Sequence, residues 1–160
     1  MNSEITKYKI DFFNIESKAI NQYELVIKEG RHSENKNVTW NCKFEFEGIN
    51  IAIQDEYFLS GVMRKIREII EPIGFRALVV CSEKNSSHSG MQADMTNGTM
   101  IYKLESEKNG SLKSFHVFEK STIELAVSIQ EQDDFAKNFY SELRNKNTKT
   151  IPWYKKIYKK

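Results

Sequence analysis

The sequence predicts an α+β fold: a single domain, mainly antiparallel sheet, with two principal helices packed on it. Three observations lead there. The nine residues "VTWNCKFEF", Val38–Phe46, alternate apolar and polar without a break, the mark of a strand with one buried and one wet face. Two later segments carry apolar residues at helical spacing, one after four candidate strands and one near the end. At 160 residues, 39% of them hydrophobic and only two proline, the chain can build one core and bury roughly two-thirds of its unfolded surface. The domain is expected over residues 1–150, with 151–160 as a basic aromatic tail.

The elements follow in order. Tyr8, Ile10 and Phe12 alternate, as do Tyr23, Leu25 and Ile27, giving two strands. The polar stretch "GRHSENKN" separates them from the strand of Val38, Trp40, Cys42, Phe44 and Phe46, all expected on one buried face. Gly48 turns the chain into Ile49, Ile51 and Ile53, a hairpin partner. Asp55 is then a candidate N-cap for a helix whose stripe is Phe58, Val62, Ile66, Ile69, Ile70 and Ile73, ended near Glu71 by Pro72 and Gly74. "FRALVV" reads as a central strand buried on both faces, "TMIYKL" and "SFHVF" as further strands. Ser128 and Glu131 have capping-box spacing and open a second helix, with Ile129, Ala136, Phe139, Tyr140 and Leu143 on its apolar side.

Charge is divided unevenly. Arg144, Lys146, Lys149, Lys155, Lys156, Lys159 and Lys160 are seven bases with no acid among them, so removing them from the net +2 leaves −5 for residues 1–143. An acidic body repels nucleic acid. Trp153, Tyr154 and Tyr158 interleave with lysines in the tail and could stack bases, but the acidic body favours the other reading, in which those rings pack on the body and the lysines stay in water. No apolar run reaches the length of a membrane span, and "MNSEITKYKIDFF" lacks the apolar centre of a signal peptide, so a cytoplasmic location is expected.

Motifs for chemistry are sparse. Cys81 and His88 lie close enough in sequence to form a nucleophilic pair, yet Cys81 sits in an apolar run and no third group is placed by a known motif. Cys42 and Cys81 are expected as buried reduced thiols. His32, His88 and His116 lack metal-ligand spacing, and no glycine pattern fits a phosphate loop. No metal, no cofactor and no enzymatic activity are expected.

The unusual stretch is "HSGMQADMTNGTMIYKL", with Met91, Met95 and Met100 among loop-forming residues. Together with "FRALVVCSEKNSS" before it and "HVFEKSTIELAVSIQEQDDFAKNFYSEL" after it, this stretch resembles immunity proteins of contact-dependent growth inhibition and related polymorphic-toxin systems. The resemblance rests on Ser89, Gly90, Met91, Asp94 and Met95, then Tyr102, Phe118, Gln132, Phe135 and Phe139, and spans Phe75 to Leu143. Where that pattern carries a glycine-rich basic segment this chain has "TNGT", and the first half resembles nothing comparable. The resemblance implies a partner, the C-terminal domain of a cognate toxin, which the protein would bind and neutralise. A nuclease toxin would present a basic active site, which an acidic inhibitor would be steered onto. Candidate toxin contacts are Glu45 and Glu47 on the wet sheet face, with Asp133 and Asp134 as second choice. Gly90, Met91, Asp94 and Met95 are expected to form a structural loop, the glycine turning it, Asp94 capping amides and the methionines anchoring it on the core. The rival expectation is a small nucleic-acid-binding module or an enzyme, using the basic tail or the Cys81–His88 region.

Overall fold

The computed structural model describes residues 4–34, 37–87, 90–104 and 113–149. Two antiparallel sheets and three helices make up an α+β domain. The larger sheet is built from β1 (Ile5–Asn14), β2 (Ile20–Arg31), β3 (Val38–Phe46), β4 (Ile49–Glu56) and β5 (Phe75–Ala77), in the spatial order β4-β3-β2-β1-β5. The smaller contains β6 (Ser86–Ser87), β7 (Met100–Lys103) and β8 (Ser114–His116) in the order β6-β7-β8. Between and after them come α1 (Leu59–Ile70), the short α2 (Gly90–Thr96) and α3 (Ile129–Lys149).

The alternation in the sequence decides which sheet face is buried. Ile10, Phe12, Leu25, Ile27, Cys42, Phe44, Phe46, Ile51 and Ile53 share one core with Leu59, Val62, Met63, Ile66 and Ile70 of α1. The aromatic rings in it pack edge to face: Phe12 against Phe46 at 5.2 Å and Phe46 against Phe75 at 4.9 Å between centroids. The opposite sheet face is wet. On it Lys7 pairs across the strands with Val26, Val26 with Lys43 and Lys43 with Ala52.

Three local expectations need correction. The β3 alternation holds, with an unbroken register against β2 and Trp40 packed on the same core as Cys42, Phe44 and Phe46, while a bulge between Ile53 and Glu56 of β4 shifts the β3–β4 register. Burial on that face is less complete than expected: Val38 and Trp40 are only half-buried, and Thr39 between them is buried as well. Asp55 does not cap α1: it closes β4 with φ +52°, and Phe58, which has no side-chain acceptor, occupies the N-cap. Of the proposed helical stripe, Ile69 and Ile73 are exposed, and the buried positions are completed instead by Leu59, Met63 and Arg67.

The "FRALVV" segment is not a central strand. Phe75–Ala77 pairs at the edge of the sheet, with β1, and further on Val79 makes an isolated antiparallel bridge to Lys120. Burial on both sides comes from other coverage. The Leu78 amide still bonds to the Asp11 carbonyl of β1 (2.9 Å), and beyond it the chain leaves the sheet: the Val80 amide bonds to Glu119 (2.8 Å) and that of Cys81 to Val117 (3.2 Å). A roof of residues 117–121 thus buries a run that a strand neighbour was expected to bury.

α3 opens as its residues predict. The Ser128 amide donates to Glu131 Oε2 at 2.8 Å, and the Glu131 amide to Ser128 Oγ at 3.2 Å, a reciprocal capping box. Its 21 residues span about 31 Å. Phe139 seats the helix on Tyr102 and Leu104, with Phe135, Ala136 and Leu143 beside them.

Candidate functional site

A cleft of about 250 Å³ runs between α1 and α3, and Ser60, Arg64, Arg67, Cys81, Gln132 and Asp133 are among its lining residues. Its centre is Arg67, whose side chain is 2% exposed. A guanidinium so buried must have its donors satisfied. Arg67 Nε donates to Glu71 Oε1 at 2.7 Å, one Nη to Gln132 Oε1 at 2.7 Å and the other to the Val127 carbonyl at 2.9 Å. Gln132 Nε2 in turn donates to the carbonyls of Cys81 and Glu83, both at 2.9 Å. The second oxygen of Glu71 accepts the Ile129 amide at 2.9 Å, so a carboxylate from the end of α1 caps the start of α3. One network therefore ties α1, the buried turn of residues 80–83 and the N-terminus of α3.

Charges around the cleft are matched in pairs. Arg64 holds Asp133 with both nitrogens, at 2.9 and 2.8 Å, and keeps its carboxyl below the usual carboxylate range. Glu83, also buried, is held by Lys103 at 2.7 Å and accepts from Ser121 Oγ at 2.7 Å. With its ions paired the cleft offers no net charge to draw in an ionic ligand. Burial pushes the thiols of Cys42 and Cys81 up to about 12, and a protonated thiol is not the attacking form. His88, the other half of the suggested nucleophilic pair, lies outside the described residues, as does the tail 151–160.

The remaining histidines serve local packing. His116 stacks on Tyr8 with 5.6 Å between centroids, its Nδ1 accepts the Phe118 amide at 3.1 Å, and burial lowers its pKa. His32 lies 6.0 Å from the Tyr57 ring. Among the described residues, no group of three or more His, Cys, Asp or Glu could hold a metal ion, and no helix is long and apolar enough to cross a membrane.

The four proposed toxin contacts fall on two separate surfaces. Glu45 is exposed on the open face of the large sheet, whereas Asp133 and Asp134 lie on α3, with α1 and the sheet between. Around Glu45 that open face is mixed in charge: Lys7, Lys9, Lys28 and Lys43 are exposed on it beside Glu24. Glu47 is in the β3–β4 turn at φ +48° and accepts a hydrogen bond from the Tyr23 hydroxyl. Burial, and then that carboxylate, push the Tyr23 hydroxyl up to about 12. Asp133 is committed to Arg64. Asp134 is exposed and accepts from Gln130 Nε2 at 3.0 Å.

The methionine stretch folds differently from the loop expected. Residues 90–96 form a helix, not a loop, and Met91 and Met95 are 71% and 79% exposed, so they anchor nothing. Ala93 is the residue that α2 buries. Gly90 begins the helix in open space without a left-handed φ, and Asp94 is exposed. The work is done just downstream. Gly98 turns the chain at φ +70°, so that the carbonyls of Asn97 and Gly98 accept the Leu59 (3.5 Å) and Ser60 (3.2 Å) amides at the uncapped start of α1. Trp40 Nε1 donates to the same Asn97 carbonyl at 2.9 Å. Sequence reasoning missed Arg67, Glu71 and Arg64. The available signal was an arginine lying beside Ile66 on the apolar stripe of a helix, four residues before a glutamate.

Fold and site together describe a small α+β protein whose two main helices are joined by a buried arginine network. No protein-family model matches the chain, and no curated protein matches it.

Proposed function

We propose that this is an immunity protein: a cytoplasmic, non-catalytic partner that binds the C-terminal domain of a cognate bacterial toxin, a nuclease, and blocks it. The observation that carries the reading is the net −5 of residues 1–143, on a chain whose second half resembles such proteins. An acidic inhibitor and a basic phosphate-binding site attract each other at long range, which raises the association rate and penalises wrong partners.

The surface around the start of α3 suits that partner better than the open sheet face. Ile123 and Leu125 are 40% and 48% exposed there, and Glu124 and Asp134 are exposed on the same stretch of chain. Leu125, Glu124 and Phe135 line a common depression of about 260 Å³. Apolar side chains beside exposed carboxylates give a partner both area to bury and charge to find. Glu45 lies among four exposed lysines, against the single Lys84 at the α3 depression, and Asp133 is neutralised by its ion pair with Arg64.

The test is growth of cells producing the toxin encoded beside this protein's gene, with and without the protein, alongside calorimetric titration of the purified pair. Protection and binding are expected. Asp134→Lys with Glu124→Lys should weaken binding by more than about tenfold, and Glu45→Lys by less. Absence of both protection and binding would end the immunity reading, and binding that survives the α3 reversals but not Glu45→Lys would move the interface to the sheet.

A further inference from the structure

β4 is the open edge of the large sheet: it pairs with β3, and among the described residues no strand lies on its other side. The Glu47–Gly48 turn, with φ +48° and +76°, is a two-residue hairpin turn of the primed kind and makes Phe46 and Ile49 the closing pair. Alternation from that pair directs the main-chain groups of Ile49, Ile51 and Ile53 toward β3 and those of Asn50, Ala52 and Gln54 outward. The side chains of these last three are exposed.

Sheet edges in soluble proteins are ordinarily guarded by charge, proline or a bulge. From Ile49 to Ile53 this edge has none of them; in the sequence "INIAIQ" the bulge of β4 opens only at Gln54, where the register with β3 shifts between Ile53 and Glu56, beside the positive φ of Asp55. The segment is also complementary to itself. In an antiparallel pairing with Ala52 on a two-fold axis, Ala52 faces Ala52 of the second copy, Asn50 faces Gln54, and Ile51 faces Ile53. Every outward N–H then meets a carbonyl, the two amide side chains face one another, and small alanines meet at the axis where bulk or like charge would clash.

We propose that β4 is a self-association surface, through which a second copy of this chain extends the five-stranded sheet into a continuous one of ten. A strand edge of six residues buries less than the ~1,600 Å² of a standard interface. The dimer is therefore weak and forms in the micromolar range or above. The surface lies apart from the α3 region, so it does not depend on the toxin-binding reading.

Sedimentation of the full chain from about 1 µM to about 1 mM tests this. A reversible monomer–dimer equilibrium is expected, with exchange of the Ala52 and Gln54 amides slowing as concentration rises. Ala52→Glu places a carboxylate opposite Lys43 within the chain, which preserves the fold, but opposite its own copy across the axis; it should weaken dimerisation at least tenfold with unchanged circular dichroism. Ala52→Lys should do the same, and mixing the two variants should restore a dimer. A wild-type chain monomeric throughout, a dimer indifferent to Ala52→Glu, or no recovery on mixing would each overturn the proposal.

Discussion

Arg67 and Gln132, 65 residues apart in sequence, meet at 2.7 Å, and Gln132 passes the connection on to two main-chain carbonyls of the 80–83 turn. Neither side chain reaches solvent freely, so each is satisfied only while α1 and α3 stay in register. Arg67→Ala leaves the Glu71 carboxylate without its counter-ion in a nearly dry site, and should cost about 3–5 kcal/mol. Gln132→Ala strands one Arg67 donor and the Cys81 carbonyl, while the Glu83 carbonyl keeps the Ser86 amide, and should cost about 1–3 kcal/mol. Urea unfolding measures both, and the double variant should lose less than the sum, because the partners are shared.

Two glycines, Gly90 at the first residue of α2 and Gly98 just beyond its end, should behave oppositely. A Cβ on Gly98 would lie 2.5 Å from Phe58 Cβ and 2.7 Å from Phe58 Cα, at a φ of +70°. Gly98→Ala should therefore destabilise by about 2–4 kcal/mol, from overpacking plus left-handed strain. Gly90 has nothing within 4 Å of the same position, and Gly90→Ala should stay within about 0.5 kcal/mol of wild type or gain slightly. Equal effects would mean that the 97–98 turn does not hold the start of α1.

The capping box makes an acid-side prediction. The Ser128 amide depresses the Glu131 carboxyl, Arg64 that of Asp133 and Lys120 that of Asp11. Lowered folded-state values mean that the unfolded chain binds protons first, so these contributions are complete above the ordinary carboxylate range, begin to fall within it and are lost as pH drops through the lowered folded values. Urea midpoints should be level near neutrality and drop below about pH 4.5. Ser128→Ala should remove about 1 kcal/mol at neutral pH.

Both thiols should be silent toward a thiol reagent at pH 8 in the folded protein and react promptly in urea. Their raised values act with the opposite sign to the carboxylates. The folded state keeps its protons longer, so stability present below about pH 9 declines as pH rises from there toward 12. Cys81→Ala should cost on the order of 1 kcal/mol and leave toxin protection intact; loss of protection in a folded variant would revive a nucleophilic role.

Much of this architecture is legible from spacing alone. Period-two alternation in Tyr8–Phe12, Tyr23–Ile27 and Cys42–Phe46 sets which face of each strand is buried, because a strand has only two faces to choose between. Val62, Ile66 and Ile70 locate α1, and Ser128 with Glu131 locates the start of α3, since both patterns are closed within a few residues. Capping and periodicity are local, and local physics is written in adjacent letters.

What only the tertiary structure decided involves groups far apart in sequence. "FRALVV" is apolar whether a strand or a roof covers it, so its letters could not distinguish a central strand from the edge strand it forms. Met91 and Met95 read as anchors because methionine is apolar, but burial of α2 is limited to the side that carries Ala93. Glu47 and Asp133 look like free surface acids until Tyr23 and Arg64 arrive from elsewhere in the fold. Arg67 is the clearest case: a charge on an apolar stripe costs too much to bury unless its partners are present, and those partners, Gln132 and Val127, are supplied by a segment some sixty residues away.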